Sequence, residues 1–244
     1  MNPLACVASF GFACLMLGGP EALPITDAAA PVVEVSKSQA PAYKPKASEV
    51  LLLVQAFYDG TTDLEAKFDQ TYFNPTFGAK PTKTRGVLKL KKPGRMVWDY
   101  KDKKDPDFFA DGKTLWVVEH DTRQVVSRPV EGNSEVSGAM SFLFGGKKLV
   151  SEFKVRYASK ERTERYGDAK HHVIELKPKK KNPHYKGLAL VVHATTGRVD
   201  AFVVYNQDGS TNHFTLKGVK TNRGLADKSF NYRVPKGYVE TKEG

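Results

Sequence analysis

His171, His172, His184, His193 and His213 are the side chains best placed by type to do acid–base or metal chemistry, and their spacing supports neither. No two of them lie three or four residues apart, the interval that sets paired ligands on one helix face. His172 and His193 could share a strand face and meet, but a chance arrangement is the favoured reading. Cys6 and Cys14 are the only cysteines, and both fall in the apolar run from Leu4 to Leu17. No GxSxG turn, phosphate loop or paired-carboxylate motif occurs. The chain is therefore not expected to be an enzyme, and no catalytic residue, metal or cofactor is assigned. What remains is the chemistry of an apolar surface edged by cations.

That surface is clearest in GVLKLKKPGRMVWDY, residues 86–100. Leu88 and Leu90 alternate with Val87, Lys89 and Lys91, and Met96, Trp98 and Tyr100 alternate with Arg95, Val97 and Asp99. A two-residue turn at Pro93-Gly94 would set Lys89 and Lys91 beside Met96 and Trp98, mixing greasy and charged faces. A three-residue loop at 93–95 avoids this: it pairs Lys92 with Met96, Leu90 with Trp98 and Leu88 with Tyr100. Lys92 then points inward, where its ammonium needs partners such as the carbonyls that end a covering helix. Arg95 points outward.

The elements that must carry this hairpin are mostly strands. Ser48 is the expected N-cap of one short amphipathic helix using Leu51, Leu52, Val54, Gln55 and Tyr58 and stopping at Asp59-Gly60. From Leu64 the period becomes two, with Leu64, Ala66, Phe68, Gln70 and Tyr72 on one face. Further strands are expected at 86–92, 95–101, 107–110, 113–119, 123–129, 152–158, 171–177, 187–194, 198–206, 211–220 and 229–233. Tight-turn signals at Pro93-Gly94, Asp111-Gly112, Thr196-Gly197 and Asp208-Gly209 imply antiparallel order. Such a sheet with one greasy face must curl around its contents or be covered. The expected fold is α+β, mostly β: a half-open antiparallel barrel whose apolar concave face is covered by short helices. A second helix is expected within 135–150, apolar over more than one face through Met140, Phe142, Leu143 and Phe144.

The ends and the charge bound the setting. The run before Gly18-Gly19-Pro20 is too short to span a bilayer, and Ala28-Ala29-Ala30 is a small-residue cleavage site, so residues 1–30 read as a secretory signal. Residues 31–46, with three prolines, read as a tether, and 47–244 as one domain. Net charge is +11, rising by two once Glu21 and Asp27 leave with the signal. A basic surface suits acidic partners, but export argues against nucleic acid, and the aromatics alternate inward rather than share the basic face as a stacking platform would.

The strings FDQTYF, GVLKLKKPGRMVWDY, FFADGKTLWVVEHD and SGAMSFLFGG, in that order between about Leu64 and Val239, resemble the LolA family of periplasmic outer-membrane lipoprotein carriers. Trp98 and the segment Asp111, Gly112, Lys113, Thr114, Leu115 and Trp116 match the family's tryptophan and its DGKxLW motif. The resemblance implies a periplasmic carrier of lipoprotein acyl chains. Its partners would be an inner-membrane lipoprotein-releasing transporter and an outer-membrane acceptor, and it would work as a monomer. Phe68, Tyr72, Leu88, Leu90, Met96, Trp98 and Trp116 would line the lipid cavity, and Met140, Phe142, Leu143 and Phe144 would form the lid. Lys92 would latch the lid where the family pattern usually has Arg, and lysine lacks the planar fork that holds several carbonyls at once. A carrier of free lipid or glycolipid and a LolB-like outer-membrane receptor are the alternatives, because the architecture is shared.

Overall fold

A computed structural model describes residues 44–76, 80–130, 149–183 and 185–243. The signal, nearly all of the tether and the lid residues Met140, Phe142, Leu143 and Phe144 lie outside the described residues. The chain opens on α1 (Ala47–Asp59), and twelve strands follow: β1 (Asp63–Phe73), β2 (Thr82–Lys91), β3 (Arg95–Tyr100), β4 (Asp107–Asp111), β5 (Thr114–Glu119), β6 (Gln124–Pro129), β7 (Phe153–Tyr157), β8 (His171–Pro178), β9 (Tyr185–His193), β10 (Val199–Asn206), β11 (Thr211–Thr221) and β12 (Val239–Lys242). Two short helices, α2 (Leu149–Glu152) and α3 (Lys160–Tyr166), flank β7, and a 3-10 helix (Asp227–Phe230) precedes β12.

The strands form one sheet in the order β12-β6-β5-β4-β3-β2-β1-β11-β10-β9-β8-β7. Every pairing is antiparallel except β12 with β6, and β7 and β12 are its unjoined ends, so the barrel is not closed. This is the expected fold class. Period-two alternation explains it: β9 and β10 bury Leu188, Leu190, Phe202 and Val204 on the same face as Phe68, Leu88 and Met96.

Three local expectations differ. Glu49 accepts the Lys46 backbone N–H at 2.8 Å, so α1 starts two residues before Ser48 would have capped it. Within α1 the inward residues are Val50, Leu51, Val54 and Tyr58, while Leu52 is 53% exposed. The stretch 229–233 is not a strand: it begins in the 3-10 helix and continues as loop, and the last strand is Val239–Lys242.

Residues 222–242 instead form a strap across the outer face of β3–β6. Both Asp63 carboxylate oxygens accept backbone N–H groups there, from Arg223 at 2.8 Å and Gly224 at 2.9 Å. Lys91 and Arg95 both reach the Asp227 carboxylate, at 2.5 and 3.3 Å. Phe230 is fully buried, and Tyr232 stacks on Phe109 with ring centroids 4.6 Å apart. Further along, the buried Asp107 carboxylate accepts the Tyr100 backbone N–H at 2.7 Å, and its other oxygen meets His120 Nε2 at 2.8 Å, whose Nδ1 meets the Tyr238 hydroxyl at 2.9 Å.

Candidate functional site: a covered concave face

The β2–β3 hairpin decides which side chains face inward. Its pairs are Lys91 with Arg95, Leu90 with Met96, Leu88 with Trp98 and Gly86 with Tyr100, so the three-residue loop is 92–94 and not 93–95. A shift of two residues along one strand preserves every face, which is why the apolar set is unchanged although each pairing differs. Gly94 takes a left-handed φ of 65°, and a Cβ there would lie 3.4 Å from Gly112 Cα. Gly112, at φ 100°, has equally little room, since its Cβ would lie 3.0 Å from the Pro93 carbonyl. The KPG and DGK turns thus pack back to back, which gives their separation along the chain a physical reason.

Phe68, Leu88, Leu90, Met96 and Trp98 all lie on the concave face and are buried. Around Phe68 gathers an aromatic cluster: Trp98 at 4.9 Å, Tyr100 at 5.1 Å and Phe214 at 6.1 Å between ring centroids. Phe202 stacks on Phe214 at 4.7 Å. Gly86 opposes Phe68, and a Cβ at that glycine would sit 2.6 Å from the ring tip, so the ring lies in the space that the missing side chain leaves. Phe202 and Phe214 were not among the expected lining, although the alternation in 198–206 and 211–220 carries the signal for them.

Of the other two expected lining residues, one lies at the edge of this face and one on the opposite face. Tyr72 shares the concave face but lies at its polar end, half-buried, its hydroxyl accepting from Asn74 at 3.1 Å. There the Tyr100 hydroxyl donates to Gln70 at 2.6 Å, and Gln70 donates to Asn212 at 2.6 Å. Burial pushes the Tyr100 phenol up, so it stays neutral in this chain of bonds. Trp116 is on the opposite, outer face, because β4 pairs Phe109 with Trp116 while Ala110 and Leu115 face inward. It lies against Tyr232 of the strap, with centroids 5.8 Å apart, as part of the outer packing.

The concave face is spanned by α1. At its start the Tyr157 hydroxyl donates to the Pro45 carbonyl at 2.8 Å, and the Lys44 ammonium lies 4.6 Å over the Tyr157 ring. Midway, Gln55 accepts the Leu149 N–H at 2.7 Å, and Leu53 crosses close over Gly197, where a Cβ would lie 2.3 Å from the Leu53 carbonyl. At its end Lys92 Nζ donates to the Tyr58 carbonyl at 2.5 Å and lies 3.5 Å from that of Asp59. A cation on the last carbonyls of a helix also meets the negative end of its dipole. Lys92 therefore holds the end of α1, and it does so from the turn rather than from a strand position; the 135–150 segment up to residue 148 lies outside the described residues. The void between Tyr58, Leu64, Leu90 and Lys92 is about 10 Å³, room for one water at most.

Of the histidines singled out above, His184 lies outside the described residues. The residue opposite His193 is His171, not His172, which pairs with Val192; the two facing rings are 5.9 Å apart. Among the described residues no group of three potential ligands could hold a metal ion, and no helix is long and apolar enough to cross a membrane.

A half-open sheet with one greasy face under a pinned helix is matched from Asp59 to Arg233 by the family model for "Outer membrane lipoprotein carrier protein LolA". The chain belongs to the LolA family. Among curated LolA-family relatives, the outer-membrane lipoprotein carrier protein of Cupriavidus necator is 28% identical over 201 residues, covering 82% of this chain and 89% of that one. The protein of that name from Legionella pneumophila strain Corby is 27% identical over 163 residues, 66% of this chain and 75% of its own. Solved structures are more distant: an uncharacterized conserved protein from Thermus thermophilus is 12% identical with a TM-score of 0.49, covering 81% of this chain and 99% of that chain. A LolA superfamily protein from Nitrosomonas europaea has a TM-score of 0.42 at 12% identity, covering 78% of this chain and 99% of its own. LolA membership supports a lipoprotein-carrier role.

Proposed function

We propose that the chain is a periplasmic carrier that takes lipoprotein acyl chains onto its concave face and passes them from the inner membrane to an outer-membrane acceptor. The observation that carries this reading is α1, an amphipathic helix whose apolar side lies on an apolar concave sheet and which is held at each end by a few polar contacts. Phe68, Leu88, Leu90, Met96 and Trp98, joined by Phe202 and Phe214, form the lining, and Met140, Phe142, Leu143 and Phe144 complete the cover. In this reading residues 1–30 direct export and 31–46 tether the domain.

Burying a methylene contributes about 0.8 kcal/mol, so a sixteen-carbon chain withholds on the order of 12 kcal/mol of apolar surface from water. Release into water is therefore closed to a carrier, and hand-over runs directly to an acceptor that binds more tightly. In the empty protein α1 covers the lining, and cargo displaces it. This competition keeps net affinity moderate, as transfer without a nucleotide requires.

Mass spectrometry of material bound to the purified secreted protein tests the reading. Triacylated peptides are the expected finding; bare lipid would make it a lipid carrier instead. Leu90→Glu and Trp98→Glu are expected to lower lipoprotein capture at least tenfold while secretion continues, and undiminished capture by both would remove this face from the mechanism.

A further inference from the structure

A second concavity lies on the outer face near the β7 edge, about 430 Å³ in volume and within the roughly 300–1,000 Å³ span of small-molecule sites. Its floor is Gly187, where a Cβ would come within 2.9 Å of the Leu176 carbonyl, and Tyr205 forms one wall. Its cations are Lys154 and Arg156 from β7, Arg162 from α3, Lys177 from β8 and Lys186 from β9, set against one carboxylate, Glu175.

Glu175 is buried and already engaged. Arg156 reaches one of its oxygens at 2.7 Å, and Arg162 bonds the other while its guanidinium lies 4.9 Å over the Tyr205 ring. One carboxylate thus neutralises one of two guanidiniums and holds both in fixed orientation with N–H donors to spare. Lys154, Lys177 and Lys186 have no ion pair among the described residues, although the exposed Asp208 lies near enough to Lys186 to feel its charge. The exposed Lys179, Lys180 and Lys181 of the β8–β9 loop continue the positive surface, and Lys179 is tied to the Val150 carbonyl of α2 at 2.8 Å. A preoriented guanidinium pair with loose ammonium groups around it matches a phosphate in a concavity, and the lysine fringe matches further phosphates in a plane beyond it.

We infer that this groove binds the phosphodiester headgroup of an anionic membrane lipid, seating the carrier on a bilayer by its β7 edge. The inference rests on the reading above that cargo is collected from a membrane. Co-sedimentation with vesicles of phosphatidylcholine and phosphatidylglycerol at low salt, against pure phosphatidylcholine, tests it on the full secreted chain. Wild-type protein is expected to pellet only with the anionic vesicles. Lys154→Gln with Lys186→Gln leaves the Glu175 pairs intact and is expected to weaken binding about fivefold for each charge removed. Adding Arg162→Gln is expected to weaken it by a like factor again.

Neutralising Lys83, Lys101 and Lys104, exposed cations of β2 and the β3–β4 loop, serves as control. An equal loss in that control would make the attraction diffuse and overturn the site. Shifts of groove resonances by millimolar inorganic phosphate, without pelleting, would make the ligand a soluble phosphate and overturn the headgroup. Bound cargo is read on the same preparations: protein that carries triacylated peptide yet fails to pellet refutes the groove alone, whereas protein that pellets without such cargo supports the groove and refutes the carrier reading.

Discussion

The outer face of the β3–β6 strands and the concave face under α1 are both apolar, and they are covered in different ways. On the outside the strap is bonded along its length: Asp63, Lys91 and Arg95 grip its start, Phe230 and Tyr232 pack at its middle, and β12 adds a strand beside β6. On the inside α1 is held at its ends and at Gln55, and the rest of its grip is side-chain contact with the lining. Apolar contact is not directional, so another apolar body can replace it, whereas a backbone ladder and buried carboxylate bonds have no such substitute. One face is a core, and in the reading proposed above the other is a site that its own helix occupies.

The largest expected effect separates the two. Phe230→Ala, on the outer face, should cost about 3–4 kcal/mol in urea unfolding and leave cargo affinity unchanged once folded protein is compared. A parallel fall in affinity would mean that the faces are coupled. Leu51→Ala, on the inner side of α1, should cost about 2–3 kcal/mol in the empty protein and tighten cargo binding, since less cover has to be displaced. Weaker binding in that variant would show Leu51 touching cargo rather than competing with it. Lys92→Met should lower stability by about 1 kcal/mol and speed amide exchange in the last turn of α1 without affecting the strap.

The smallest effect is on pH, and it distinguishes two outer-face histidines. Burial disfavours the charged form of His171, but hydrogen bonds to Asp200 and Asp168 outweigh it and raise its pKa. Its contribution is therefore full below the ordinary histidine pKa of about 6.5 and is lost as pH rises through the raised folded value. Burial, with Arg165 nearby, lowers the pKa of His213, so its contribution is present above about 6.5 and lost as pH falls through the lowered folded value. Stability curves of His171→Gln and His213→Gln should therefore diverge from wild type at opposite ends of the range; divergence at the same end would contradict these assignments.

The inner lining was legible because alternation in a strand is a local property: Leu88, Leu90, Met96 and Trp98 share a face whatever the neighbours do, and a register shift of two residues leaves it intact. Trp116 was misplaced for the same reason. Parity within β5 separates Trp116 from Leu115 but does not say which of them faces inward, and only the pairing of Phe109 with Trp116 decides it. The strap was missed because residues 222–238 have no period, their place being set by partners more than a hundred positions away, such as Asp63 and His120.

From sequence alone came the family, the mostly antiparallel sheet, the apolar stripe and a lysine beside the hairpin proline in need of carbonyls. Those follow from side-chain type and spacing, which act over a few residues. Tertiary structure alone decided which carbonyls Lys92 finds, which tryptophan faces inward and where five cations gather around Glu175. Each of these depends on the meeting of segments far apart in the chain, and no local pattern encodes that meeting.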